Sequence, residues 1–199
     1  MPKPEPEQAP QGKDKWESEG RMLPPAQIIE RKLRHIRTQT LITFGKDFLR
    51  AGRYSNALRA FDEALEIESG EVRALLGRSL ALTRLRRYEE ALTAADEIFD
   101  READSPHGYN AQAVCYHAMD RGSEAEAAFR KSIHFGPDIA GNYYNFACYW
   151  ASGGDAERCR EHLTKAIELE PNLNVLAATD VDFSPYRMED WFLDAVAFK

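Results

Sequence analysis

From Ala26 onward, apolar residues recur along the chain at helical spacing. Ile28, Ile29, Leu33 and Ile36 return every few positions, with Glu30, Arg31, Lys32, Arg34 and Arg37 between them, which predicts an N-terminal helix over 26–37. Pro25 suits the first turn of that helix. Beyond it the pattern repeats at a fixed interval of thirty-four residues. Gly45 leads to Ser79, Ala113 and Ala147, all small, and Ala57 leads to Ala91, Ala125 and Cys159, again small. Phe48 leads to Leu82, Tyr116 and Trp150, all large, and Leu65 to Phe99, Ile133 and Ile167. Four blocks follow without insertion: 38–71, 72–105, 106–139 and 140–173.

Each block predicts two helices of a dozen or more residues joined by a tight turn. Ala51-Gly52-Arg53, Asp120-Arg121-Gly122 and Ser152-Gly153-Gly154-Asp155 mark the turns, where glycine supplies left-handed backbone freedom. The small residues let the two helices of a hairpin approach closely, and the large ones fill the space between successive hairpins. Pro137 and Pro171 stop the second helix of their blocks. One hairpin cannot bury its apolar face alone, whereas four stacked hairpins share a continuous core.

These residues resemble the tetratricopeptide repeat family over 38–173. Tyr143-Tyr144-Asn145-Phe146-Ala147 through Glu170-Pro171-Asn172 is close to the family consensus, as are Gly52-Arg53-Tyr54-Ser55-Asn56-Ala57-Leu58 and Arg87-Tyr88-Glu89-Glu90-Ala91-Leu92. The second block departs most, with Ala95 in place of an aromatic and Ala103 in place of a proline, and so is expected to pack less tightly or turn at another angle. The fold expected from the resemblance is all-α: a right-handed solenoid of four helix-turn-helix repeats, with the N-terminal helix before it and capping helices after it. Residues 174–199 are similar to the extensions that close bacterial stacks of this kind. In them Asp180–Arg187 reads as a loop, and Trp191, Phe192 and Phe198 either cap the last hairpin or form a contact surface for self-association.

Composition adds limits. Lys+Arg total 26 against 33 Asp+Glu, a net charge of −7, which argues against a nucleic-acid binder. No apolar run is long enough to span a membrane. Residues 1–25 hold six of the ten prolines and few apolar side chains, predicting a disordered leader in which Trp16 and Met22-Leu23 are the only candidates for a short docking motif. The cysteines, Cys115, Cys148 and Cys159, are odd in number and lack CxxC spacing, which fits a reducing, cytoplasmic setting.

The chain carries no phosphate-binding glycine loop, nucleophile elbow or zinc-protease motif, so no enzyme, metal or cofactor is expected. Asp180, Asp182 and Ser184 are spaced like the start of a calcium loop, yet the glycine and closing glutamate are missing. His117 and Cys148 fall side by side on neighbouring first helices, and a Cys–His pair could activate a thiolate; two ordinary groove residues are the simpler account.

The resemblance implies a concave groove, lined by the first helix of each hairpin, that binds an extended peptide or helix. Carried onto this chain, the lining comprises Lys46 and Arg50; Arg73, Leu76, Leu80 and Arg84; His107, Asn110, Val114 and His117; and Tyr144, Asn145 and Cys148, with Ile42, Gly77, Thr83, Ala111 and Ala151 among the further slots. The groove slots hold four Lys/Arg and no Asp or Glu. Either the groove selects an acidic and apolar ligand, or several slots are half-buried and exclude acids for that reason. The two-carboxylate clamp of chaperone-binding relatives does not transfer, because Ile42, Gly77 and His107 stand at its positions. The expected role is a non-enzymatic adaptor for a protein or peptide partner. The alternative is a structural subunit or self-assembling scaffold acting through the convex face and the aromatic C-terminus.

Overall fold

The computed structural model describes residues 24–197. The leader's Trp16 and Met22-Leu23 lie outside the described residues, as does Phe198. Ten α-helices follow in order: α1 Pro25–Arg50, α2 Tyr54–Ile67, α3 Val72–Arg84, α4 Tyr88–Phe99, α5 Pro106–Ala118, α6 Gly122–Phe135, α7 Ala140–Ser152, α8 Ala156–Leu169, α9 Leu173–Thr179 and α10 Asp190–Val196. A 3₁₀ turn, Val181–Tyr186, lies between α9 and α10, and no strand occurs among the described residues.

The four hairpins α1–α2, α3–α4, α5–α6 and α7–α8 turn in the same way. Gly52, Arg86, Asp120 and Gly154, thirty-four residues apart, all have positive φ, at 68°, 60°, 59° and 75°. The residue after each donates its N–H five residues back, from Arg53 to Phe48, Arg87 to Leu82, Arg121 to Tyr116 and Asp155 to Trp150. That is the Schellman closure, which satisfies carbonyls left open at a helix end. Glycine fills two of these positions without strain, while Arg86 and Asp120 hold the same geometry with side chains.

The expected boundary between residues 37 and 38 is internal to one helix. Nothing between Arg34 and Leu41 breaks the backbone, so the N-terminal helix and the first helix of the first repeat form the single 26-residue α1. The second block is closed by a different residue from the one expected. Ala95 is fully buried, and Phe99, one turn later, supplies the missing ring; it lies against Gly108 and meets Tyr109 edge-on at 4.8 Å.

Within Asp180–Arg187, expected as a loop, Val181–Tyr186 forms the 3₁₀ turn. The Asp180 side chain accepts from the Asp182 N–H at 3.1 Å and starts it. Phe183, Tyr186 and Phe192 are buried with Trp150, Leu163 and Ala166 in one core. Of the aromatic segment, Phe192 is buried in this core and Trp191 is half-buried against Tyr186.

Candidate functional site

The first helices α1, α3, α5 and α7 each pack on the next, while the second helices mainly touch the first helices flanking them. The first helices thus form the inner side of the curve. Along α3, Arg73, Leu76, Leu80 and Arg84 recur every three to four residues, with both arginines exposed and both leucines half-buried. Lys46 and Arg50 lie exposed on α1, and His107, Val114 and His117 are half-buried on α5.

Two polar rungs join α5 to α7. Asn145 Nδ2 donates to Asn110 Oδ1 at 3.2 Å, and Ser152 Oγ lies 3.3 Å from His117 Nε2. Asn110 is buried, so its amide is engaged within the stack.

At the fourth hairpin the lining is covered by the chain itself. Tyr144 Oη donates to Asp180 Oδ2 at 2.8 Å, and its ring meets Phe183 edge-on at 5.6 Å. Cys148 faces the same turn, its thiol within 4.8 Å of carboxylate oxygens of Asp180 and Asp182. Tyr144 and Cys148, expected to contact a partner, instead hold the C-terminal segment. Ile42, Gly77, Thr83, Ala111 and Ala151 are also buried, so part of the absence of acids from the groove slots reflects burial.

Charges from outside the slots alter the balance. Arg50 pairs with Asp47 at 2.8 Å and Arg73 with Glu71 at 3.0 Å. Partial burial pushes the Glu71 carboxyl up, but the Arg73 side chain and backbone outweigh it and leave the carboxyl below its ordinary value. Asp180 and Asp182 add acid at the fourth-hairpin end, where sequence spacing alone had no means of placing them.

No hydrogen bond joins Cys148 to His117. Burial pushes the Cys148 thiol well above its ordinary value, and Asp182 and Asp180 push it further, so the thiol stays neutral. Burial lowers His117, whose ring nitrogen faces Ser152. Cys148, Asp180 and Asp182 place one ligand atom each within 4.8 Å of one another. Both Asp180 oxygens in this cluster are already engaged, Oδ2 by the Tyr144 hydroxyl and Oδ1 by the Asp182 N–H.

A pH dependence follows. A thiol raised in the folded state stabilises the fold below its ordinary value of 9.0 and loses that contribution as pH rises above it. Denaturant unfolding on either side of that pH should show stability falling in alkali, by up to ~1.4 kcal/mol per pH unit for each such group. Cys148→Ser should make the slope shallower, leaving the shares of Cys115 and of Cys159, which burial pushes up to about 12.

The family model of the cilia and flagella-associated protein 70 middle TPR-like domain matches residues 28–134. Among curated proteins, the DnaJ homolog subfamily C member 7 homolog of Schizosaccharomyces pombe is 29% identical over 107 residues, 52% of this chain and 21% of that protein. The Hsp70-Hsp90 organizing protein of Triticum aestivum is 26% identical over 91 residues, 46% of this chain and 16% of that protein. The chain thus spans about a fifth of the length of these relatives. Among solved structures, TTC0263, a thermophilic TPR protein of Thermus thermophilus, superposes with a TM-score of 0.59 at 21% identity, covering 80% of this chain and 86% of that one. PilF of Pseudomonas aeruginosa superposes with a TM-score of 0.55 at 15% identity, covering 83% and 79%. Both likenesses are of fold. No helix among the described residues is long and apolar enough to cross a membrane.

Proposed function

The chain belongs to the tetratricopeptide-repeat family, in the group of the cilia and flagella-associated protein 70 middle TPR-like domain, and on that footing we propose that it is a non-enzymatic adaptor. It holds a partner segment with acidic and apolar side chains in the groove of its first three hairpins. Lys46, Arg50, Arg73 and Arg84 receive the acids, and Leu76, Leu80 and Val114 the apolar groups. The observation that carries this reading is the groove's own occupant: Asp180-Val181-Asp182-Phe183 is an acidic and apolar segment already seated at the fourth-hairpin end. The stacked helices pre-organise the lining and so lower the ordering cost of binding. The relative named Hsp70-Hsp90 organizing protein makes a chaperone tail an obvious ligand to compare. The clamp positions argue for another ligand, since Gly77 is buried against Phe61 and Ile42 lies in the core.

A fluorescent peptide carrying two Asp-Val-Asp-Phe units, titrated with the full chain at low and high salt, tests the reading. Saturable binding that weakens with salt and falls at least about tenfold in Arg73→Glu/Arg84→Glu is the expected result. Equal affinity for the wild type and the variant would overturn it.

A further inference from the structure

The two ends of the stack differ. At the C-terminal end, α9, the 3₁₀ turn and α10 close over α7 and α8. At the N-terminal end, no described residue covers the outer face of α1. Ile29, Leu33, Ile36 and Phe44 are 58%, 61%, 60% and 53% exposed there. At helical spacing these four fall in a strip about 80° wide, with Thr40 among them. The strip faces away from the buried Thr38, Ile42 and Gly45.

The repeat register says what such a strip normally meets. Thirty-four-residue steps from Phe44 lead to Arg78, Gln112 and Phe146, and each of these contacts the second helix of the preceding hairpin. Arg78 Nε lies 3.0 Å from Asp62 of α2, Gln112 Nε2 donates to Asp96 of α4 at 2.9 Å, and Phe146 stacks on Phe129 of α6 at 5.0 Å. Phe44 therefore stands in a slot built to face a helix. Residues 25–37 cannot fold back to supply one, because they run straight into α1.

We infer that α1 of a second copy, packed antiparallel, fills that slot and makes the protein a two-fold dimer. The strip is self-complementary, as a two-fold contact requires. Antiparallel pairing centred at Ile36 and Arg37 sets Ile29 against Phe44 and Leu33 against Thr40, with Ile36 beside its own counterpart. The same register brings Asp47 opposite Ala26, in a first turn that has neither a side-chain cap nor an acidic residue. Glu30 and Arg37 border one edge of the strip, so each copy offers both signs there. Covering both strips buries on the order of 1,000 Å² in total, the low end for a specific interface, which fits a reversible dimer. A two-fold contact uses the strip of each copy completely, so association through it stops at the pair. The inference uses a face distinct from the groove and does not depend on the groove reading.

Sedimentation equilibrium of the full chain across the micromolar range tests it. The expected result is a reversible monomer–dimer equilibrium. Ile36→Glu and Leu33→Glu, both at exposed positions, should each weaken it by about tenfold or more with unchanged circular dichroism, because a charge would be buried at the contact. Arg73→Glu/Arg84→Glu and deletion of residues 1–23 should leave it intact. A monomer at every concentration, with or without residues 1–23, would overturn the inference, as would a dimer that survives both glutamate variants. A dimer seen only after the deletion would assign the strip to the chain's own leader, which also overturns it.

Discussion

Truncating Phe61 to alanine is expected to destabilise the fold by about 3–5 kcal/mol, read as a lowered urea midpoint with little change in the denaturant slope. The ring is fully buried on α2, between α1 and α3, in one core with Ile42, Ala57, Ala64, Ala74 and Ala81. Two glycines make room for it: a Cβ at Gly45 would lie 2.6 Å from the ring, and one at Gly77 closer still. Losing the ring leaves a cavity whose walls are two helix backbones, each already tied into its own hairpin, so the gap closes poorly. The converse change probes the same contact. Gly77→Ala should cost about 1–3 kcal/mol by overpacking, and Phe61→Leu in that background should recover part of the loss. A cost under about 1 kcal/mol for Phe61→Ala would show that the first two hairpins do not depend on this ring.

That contact shows which parts of the fold were legible. The thirty-four-residue period runs through the turn position of each hairpin, Gly52, Arg86, Asp120 and Gly154, where the backbone is left-handed whether the side chain is absent or present. The period also distinguishes small from large slots. It does not reveal which way a small residue faces: Gly77, read as groove lining, is a packing notch for Phe61. Nor does it register a turn that fails to form, and α1 therefore reads as two segments while the backbone continues as one helix.

The candidate site was less legible than the fold, for a physical reason. Slot counting sees only the residues that recur with the repeat. Tyr144, Asn145 and Cys148 lie on α7, but what meets Tyr144 and Cys148 comes from outside the period. Asp180 reaches Tyr144 across thirty-six residues of sequence, from a segment with no helical or strand alternation to announce it. The acids that pair with Arg50 and Arg73 are likewise off-slot neighbours, Asp47 and Glu71. The net positive charge read from the lining is therefore partly offset in the folded protein, and Lys46 and Arg84 become the cations on which a ligand's charge should depend most.

Removing residues 180–199 is expected to cost the fourth hairpin its order while the first three persist. Phe183, Tyr186 and Phe192 are buried against Trp150, Leu163 and Ala166, and each contributes about 1.5–3 kcal/mol of burial. The deletion also strips Tyr144 of its Asp180 acceptor and Cys148 of its cover. In a solenoid each hairpin is stabilised by its neighbours, so a loss of several kcal/mol at the end falls first on the end unit. Amide exchange should therefore accelerate across α7 and α8 by orders of magnitude and change little across α3 and α4. In the same sample Cys148 should become reactive toward a maleimide, because the thiol loses both the cover and the two carboxylates that keep it neutral. Protection across α7 and α8 matching that of the full chain would mean that the fourth hairpin closes on itself. The C-terminal segment would then be a removable occupant of the groove and not a structural part of the stack.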